Sequence, residues 1–372
     1  MEDDFKMKIK TEAFRRFSNP ILSSYVKGDP DGELMYLNFE DSKAYFSSDA
    51  FMAKLNFVCE IQEPEDNDIK NIKVDKQMFL ALCEQYEELI LDKDHIFSYE
   101  EERFDIRPVV ISGEIPIDDY PEFDASNFEM YQFNSALLKN IRAATPYMGV
   151  YDPQVNRFGV KLVKRGVVGT DGVQVFEAQM GDDQEELPEV CIKGELIKII
   201  STMAETEVCY LRYSESTDEL YFTFGENEEC SLATEQGRNF KIPDMEDEKF
   251  IKKFHHDTFI VLEKADLVDV LEFFSVFVKN ERNERIYFNI KNETTFSVES
   301  QAESRGNRDL KIVECSPELI GEGFWVPRLY VLKAVRSIED DFVVLEIDTT
   351  APAFNAVGKN NKEAHIATVM LN

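Results

Sequence analysis

Residues 157–180 read RFGVKLVKRGVVGTDGVQVFEAQM. Apolar and polar residues alternate from Phe158 to Leu162 and again from Val173 to Ala178, which is the period-two pattern of half-buried β-strands. Between these runs lie Arg165-Gly166 and the string Gly169-Thr170-Asp171-Gly172, whose residue types favour tight turns and positive φ. The stretch therefore predicts an antiparallel meander.

The meander belongs to a unit that recurs along the chain. A strand, an amphipathic helix and three further strands follow one another six times, at a spacing of about 60 residues. Two proline-containing segments, 113–123 and 243–248, have the composition of linkers. Pairs of units predict an α+β fold with three similar domains, at residues 1–120, 121–245 and 246–372. Two of the predicted strands are long, Phe51–Ile61 and Phe104–Ile111.

Composition excludes several classes of protein. The 372 residues are 43% hydrophobic and include 29 Phe, enough for more than one core. We find no apolar run of about 18 residues and no apolar segment after the acidic N-terminus, so we expect no membrane contact, no signal peptide and a cytoplasmic location. Six scattered cysteines predict reduced thiols, and four histidines without ligand spacing predict no metal site and no cofactor.

The charge argues against one class of partner. Lys and Arg number 41 and Asp and Glu number 73, a formal net charge of −32. Such a surface repels nucleic acid unless its basic residues are gathered in one place.

Four short strings resemble the sliding-clamp family, the β subunit of bacterial DNA polymerase III. Arg103-Phe104-Asp105-Ile106 with the segment 118–124 is similar to the end of that family's first domain, and Gly323–Leu332 to the approach to its last helix. The Thr170-Asp171-Gly172 turn matches a turn of its second domain, and Ser48-Asp49 stands at the equivalent turn of the first. The resemblance covers the whole chain. It implies a DNA clamp fold that closes head to tail into a homodimeric ring around duplex DNA, and the acidic, divergent sequence suggests a bacteriophage member.

In such a ring the helices line the hole, which answers the objection from charge. The resemblance implies sequence-independent DNA contacts from basic residues on these helices: Arg15, Arg16, Lys139, Arg142, Lys198, Lys279, Lys333 and Arg336. Two helices depart from this pattern. The second carries Glu84, Glu87 and Glu88, and the fifth carries Asp266, Asp269 and Glu272, so a uniformly basic lining is not expected.

The resemblance implies two protein interfaces as well. Phe104 and Ile106 of one chain are expected to pack against Phe277 and Val278 of another. A pocket for peptides of the polymerase and the clamp loader is expected from these residues: Thr170, Gly172, Val173, Gln174, Val175, Pro243, Thr368, Val369, Met370 and Leu371. Val173 and Gln174 stand where relatives often carry His and Arg, which predicts an altered polar rim. The alternative is that these are core residues of their own domains.

Three other functions are compatible with parts of the sequence. Acidic pairs such as Asp118-Asp119 are typical of metal or acid–base catalysis, but with no partner His, Cys or phosphate-binding loop nearby we expect no enzyme activity. An acidic protein that mimics DNA needs no basic clusters on helices. A processivity factor that acts as a monomer, without closing a ring, is the remaining alternative.

Overall fold

The computed structural model describes residues 6–23, 34–48, 51–62, 70–92, 97–99, 102–104, 108–111, 129–149, 159–171, 174–180, 186–204, 207–214, 219–235, 256–278, 284–300, 306–348, 353–360 and 364–369. Within these ranges the chain is mainly antiparallel β-sheet with a few short helices. The predicted α+β class is confirmed.

Most of the described helices bury apolar side chains. The helices are α1 Glu12–Arg16, α2 Ser18–Ser23, α3 Lys76–Gln85, α4 Ser135–Ala144, α5 Gly194–Met203, α6 Lys264–Phe273, α7 Ser275–Val278 and α8 Arg328–Ser337. Two of them begin at side-chain caps. The Asp75 carboxylate accepts from Met78 N at 2.8 Å, and the side-chain Oδ1 of Asn134 accepts from Leu137 N at 2.8 Å. These caps satisfy N–H groups that have no partner inside the helix.

The strands are short and follow the helices in the predicted order. They are β1 Lys6–Lys10, β2 Leu34–Asn38, β3 Lys43–Ser47, β4 Met52–Asn56, β5 Cys59–Gln62, β6 Asn71–Asp75, β7 Glu88–Asp92, β8 Phe97–Tyr99, β9 Glu102–Arg103, β10 Val109–Ile111, β11 Glu129–Gln132, β12 Gly159–Val163 and β13 Gly166–Thr170. The second half contains β14 Gln174–Gln179, β15 Cys191–Lys193, β16 Cys209–Ser214, β17 Glu219–Phe224, β18 Cys230–Glu235, β19 Phe259–Glu263, β20 Arg285–Asn292, β21 Thr295–Ser300, β22 Gly306–Cys315, β23 Gly323–Pro327, β24 Phe342–Glu346, β25 Ala353–Gly358 and β26 Ala364–Val369.

Contacts divide the chain into two compact units. Unit 1 comprises Met1–Leu138 and Lys193–Arg238, and unit 2 comprises Lys139–Ile192 and Asn239–Asn372. The middle third of the sequence thus contributes to both units. The division into three domains at residues 120 and 245 stays a prediction.

Unit 1 contains two antiparallel sheets. Their strand orders are β5-β1-β7-β8-β9 and β10-β6-β2-β3-β4-β18-β17-β16-β11. The larger sheet is continuous because β4 pairs with β18, with Leu55 opposite Cys230 and Ala53 opposite Leu232, all four buried. Helices α1 and α2 pack against α3, and α2 also packs against α5. Phe14 of α1 meets Phe79 of α3 with ring centroids 5.0 Å apart, and Phe79 meets Phe97 of β8 at 5.4 Å, so these helices and the smaller sheet share one aromatic core.

Unit 2 is built on one sheet of twelve strands. Its order is β15-β12-β13-β14-β26-β25-β24-β19-β22-β21-β20-β23. The pairing of β14 with β26 joins the meander of residues 159–179 to the end of the chain. Helix α8 packs against α6 and β26. In the described part of the chain no helix is long and apolar enough to cross a membrane.

The meander forms as predicted, but the predicted turn at Gly169–Gly172 is wrong at its first two residues. The turn between β12 and β13 lies at Lys164-Arg165, and Gly169 and Thr170 continue β13, opposite Phe176 and Val175, instead of turning. Close packing explains the glycine. A Cβ at Gly169 would lie 2.8 Å from the carbonyl oxygen of Ala144, so glycine lets α4 approach the strand. Gly169 therefore marks a site of close backbone contact and not a turn.

Neither long predicted strand has its predicted extent in the structure. Phe51–Ile61 divides into β4 and β5, which belong to different sheets, and the chain between them turns Phe57 into the core against Phe14. Of Phe104–Ile111, Phe104 is not in a strand, residues 105–107 lie outside the described residues, and Val109–Ile111 forms β10, which pairs with β6. β9 ends before Phe104 and pairs with β8 in the other sheet. Pro108 has no N–H to donate to a strand ladder, which agrees with β10 beginning at the next residue.

Candidate nucleic-acid interface

The predicted DNA contact Arg16 is held by two carboxylates of its own unit. Its Nε donates to Glu207 Oε1 at 2.6 Å, its Nη2 donates to the second oxygen of the same carboxylate, and its Nη1 lies 3.3 Å from Glu229 Oε1. The side chain of Glu207 is only 6% exposed, and that of Arg16 is 37% exposed. The hydrogen bond to Glu207 raises the pKa of Arg16. This two-pronged geometry is typical of a structural arginine–carboxylate pair.

Lys333 of α8 is likewise turned toward its own unit. Its Nζ lies 4.1 Å from the ring centroid of Tyr147 and 3.4 Å from Asp171 Oδ2. Tyr147 in turn stacks on Phe176 and shares a 3.0 Å hydrogen bond with Ser337. Desolvation lowers the pKa of Lys333, and the Asp171 carboxylate opposes that shift. The ammonium group thus belongs to a packed network between α8 and the end of β13.

Two other predicted contacts lie in two exposed ion pairs of unit 2, which we call the charge row. The pairs are Arg336 with Glu272 and Lys139 with Glu339. Arg336 of α8 donates to Glu272 of α6, and Lys139 of α4 lies 2.5 Å from Glu339. The four side chains are 48–59% exposed. Each cation is therefore close to solvent but already has a carboxylate partner.

The remaining basic candidates divide by exposure. Arg142 and Lys198 are exposed and Arg15 is half-buried. Lys279 lies outside the described residues. The acidic residues predicted on the second helix are only partly confirmed there. The helix, α3, ends at Gln85, so Glu84 is the one of the three acids that is helical. Glu88 lies in β7 and pairs with Lys8 at 2.5 Å, whereas Asp266, Asp269 and Glu272 are exposed on α6 as predicted.

The structure brings five of the ten predicted pocket residues together in unit 2. Thr170 lies opposite Val175, Gln174 lies opposite Thr368, and Val369 lies opposite Ala353. The other five lie outside the described residues: Gly172, Val173, Pro243, Met370 and Leu371. Thr170, Gln174 and Val175 are buried, which agrees with the alternative that these three serve the core. The predicted pocket therefore depends on the residues that flank them.

The end of β13 is tied to α8 by contacts that the sequence did not reveal. Asp171 Oδ1 accepts from Gln174 N at 2.7 Å, and Thr170 Oγ1 donates to Gln174 O at 2.7 Å. Gln174 Nε2 then donates to the carbonyl oxygen of Tyr330, at 2.9 Å, on α8. Gln174 and Tyr330 are 156 positions apart in sequence, and only the Thr-Asp-Gly string hinted at the role of Asp171.

The predicted dimer residues lie in two different units. Phe104 follows the edge strand β9, is half-buried, and lies against Tyr86 with ring centroids 5.0 Å apart. Ile106 lies outside the described residues. Phe277 and Val278 end α7, beside Val276, which is 80% exposed. The preceding Phe273 is also exposed and carries the Arg308 guanidinium 4.6 Å from its ring centroid.

Catalytic features are sparse in the described chain. Among the described residues no group of three or more His, Cys, Asp or Glu side chains could hold a metal ion. All six cysteines are free thiols. Burial raises the pKa of Cys59 and of Cys191 to about 11, which leaves little reactive thiolate at neutral pH.

Comparison with solved structures identifies the fold. No protein-family model matches the chain, and no curated protein matches it. The DNA polymerase III β subunit from Thermotoga maritima is 15% identical with a TM-score of 0.77, and the match covers 99% of each chain. The DNA polymerase sliding clamp from Bacillus subtilis is 14% identical with a TM-score of 0.76 over 100% of both chains. The DNA polymerase III subunit beta from Pseudomonas aeruginosa is 13% identical with a TM-score of 0.78, over 99% of this chain and 100% of that one. The resemblance seen in the sequence is thereby confirmed at the level of the fold: this chain has the fold of the bacterial sliding clamps.

Proposed function

We propose that the protein is a DNA sliding clamp, which encircles duplex DNA and holds a replicative polymerase on it. The observation that carries this proposal is the agreement with clamp subunits over 99% of this chain and 99–100% of theirs. A partial match would support only a shared domain. Agreement over full length supports a shared architecture, and with it a function that depends on architecture more than on individual side chains.

The proposed ring consists of two copies of the chain. The edge strand β9 with Phe104 and Ile106 of one copy would meet Phe277 and Val278 of the other. The support is physical: β9 ends a sheet, and the end of α7 exposes Val276 to solvent. Uncovered strand edges and apolar patches are typical of surfaces that a partner covers.

Inside such a ring, contact with DNA is weak and independent of sequence. The proposed contacts are the basic residues of the helices, and we distinguish two groups among six of them. Arg16 and Lys333 are engaged in partly buried contacts and serve mainly to hold their units together. The exposed cations Lys139, Arg142, Lys198 and Arg336 are those we assign to phosphates.

The proposed docking site for the polymerase and the clamp loader lies near the end of β13 and the end of β26. The buried residues Thr170, Gln174 and Val175 are assigned to the core beneath this site. We assign its surface to Gly172, Val173, Pro243, Met370 and Leu371. A site of this kind takes a short apolar peptide, for which an adaptable Met is well suited.

The proposal assigns the protein no catalytic activity and no cofactor, and a cytoplasmic location with the DNA. The alternatives are a DNA mimic and a monomeric processivity factor. Neither has an observation in its favour comparable to the full-length structural agreement.

A threading experiment tests the ring without requiring the loader. The protein is incubated with linear duplex biotinylated at both ends, and streptavidin is added either before or after the protein. A ring that threads over free ends is retained through gel filtration in high salt only when the ends are blocked afterwards. Cutting the retained DNA in the middle should then release the protein. Equal retention for both orders of addition would mean ordinary adhesion and would contradict the ring.

A further inference from the structure

We propose that the carboxylates of the charge row, Glu272 and Glu339, compete with DNA phosphates for Arg336 and Lys139. This inference rests on the proposed function, in which the helices face DNA. It identifies acidic residues that set how weakly the protein holds its duplex. Phosphate contact then proceeds by exchange: the cation leaves its carboxylate as it takes up a phosphate.

The geometry of the charge row supports exchange at these two pairs. One pair connects α8 with α6, and the other connects α4 with Glu339, two residues after α8. All four groups are about half exposed, and an exposed ion pair of this kind is worth little because water and salt screen it. A phosphate can therefore replace the carboxylate without leaving a buried charge behind.

Arg16 differs from the charge row in this respect. Its partner Glu207 is 6% exposed, and moving Arg16 to a phosphate would leave a nearly buried carboxylate without its counter-charge. Lys333 is similarly confined between Tyr147 and Asp171. The exchangeable pairs are thus the two in the charge row and not these.

The row also brings like charges near the DNA. Each exposed carboxylate beside a bound phosphate repels it over distances shorter than the Debye length, about 8 Å at physiological salt. Glu272 and Glu339 therefore weaken binding twice, first by occupying a cation and then by repelling the phosphate that displaces them.

Neutral substitutions test this proposal. Glu272→Gln and Glu339→Gln should each tighten binding to a labelled 30-base-pair duplex about two- to fivefold at 0.1 M salt, the weight of an exposed ion pair. Fluorescence anisotropy measures this affinity. Glu314→Gln is the matched control, because it removes the same charge from an exposed pair with Lys359 on the sheet. It should leave the affinity unchanged.

A double-mutant cycle isolates the competition from simple repulsion. In a Lys139→Met background, the gain from Glu339→Gln should fall below that seen in the wild-type background, since no cation is left to release. If Glu272→Gln and Glu339→Gln bind no more tightly than Glu314→Gln, or if the gain is the same with Lys139→Met, the competition does not exist. Threading on capped DNA is measured separately. If the protein is retained on capped DNA but the Glu→Gln variants bind duplex no more tightly, the competition alone is refuted. If the variants bind more tightly but the protein is not retained, the ring is refuted.

Discussion

Replacing Arg16 with Met separates a structural role of this residue from a role in DNA binding. In the structure the guanidinium binds both oxygens of Glu207 and lies 3.3 Å from Glu229. Methionine keeps the apolar part of the side chain near Phe17, whose ring the guanidinium covers at 5.2 Å. What the substitution removes is the positive charge, and it leaves the Glu207 carboxylate almost enclosed by protein.

The expected loss of stability follows from the burial of Glu207 and the partial exposure of Arg16. Removing one partner of a buried ion pair costs about 3–5 kcal/mol, because the remaining charge is neither hydrated nor paired. Arg16 itself is 37% exposed, so water reaches the site in part and we expect about 2–3 kcal/mol. For a unit of this size each kcal/mol lowers the midpoint by about 2–4 °C. Unit 1 should therefore melt about 4–12 °C earlier.

Two assays on the same variant decide whether Arg16 is structural or contacts DNA. Differential scanning calorimetry measures the melting of Arg16→Met, of Glu207→Gln and of the double variant, which should recover part of the loss because no charge is left buried. Lys10→Met is the control in the same unit, since its pair with Glu60 is exposed on both sides and should cost less than about 1 kcal/mol. The salt dependence of duplex binding is measured in parallel. A structural Arg16 leaves the logarithmic salt slope unchanged, whereas loss of one phosphate contact lowers it by about 0.9. An Arg16→Met protein with wild-type stability and a reduced slope would refute this reasoning.

Two further predictions concern the proposed interfaces. Phe104→Arg with Ile106→Arg should convert a dimer, of twice the 43.0 kDa chain mass, into monomers by light scattering at micromolar concentration, because two charges would be buried in the joint. Val109→Arg is the control on a different edge strand, and a dimeric double variant or a monomeric wild type would contradict the interface. Deleting residues 370–372, which follow β26, should abolish stimulation of the polymerase while leaving the dimer and its melting temperature nearly unchanged. Processive synthesis by the shortened protein would exclude the site, and early melting would favour a core role for these residues.

Local signals in the sequence predicted a large part of the fold. The alternation from Phe158 to Leu162 and from Val173 to Ala178 predicted β12 and β14 from neighbouring residues alone, because the two faces of a strand follow a period of two. Leu329 of α8 is an exception, since an apolar helix residue is expected in the core and Leu329 is exposed. Leu332 and Val335 of the same helix are buried, and Val331 joins them in the core.

The sites were less predictable because they depend on contacts between distant residues. Arg16 and Glu207 are 191 positions apart, and Lys333 and Asp171 are 162 apart. A basic residue on a helix face has the same pattern in sequence whether it faces solvent or a carboxylate. Strand breaks have the same origin. Phe57 leaves the ladder to pack against Phe14, a contact that no alternation of polar and apolar residues encodes.

The net charge of −32 can be reconciled with the proposed partner, DNA, which carries the same sign of charge. Adhesion to DNA requires an excess of exposed cations, and in unit 2 the exposed cations Arg336 and Lys139 are each matched by a carboxylate. A protein that relied on adhesion would be impaired by this arrangement, because each phosphate contact must first break an ion pair. A ring requires only that it cannot leave a closed or blocked duplex, so weak contact does not limit retention. Weak contact also lowers the barrier between successive phosphate positions, which is what sliding needs. The acidic partners of the helix cations are therefore what we expect of a clamp held by topology, and they would be difficult to explain in a protein held on DNA by charge.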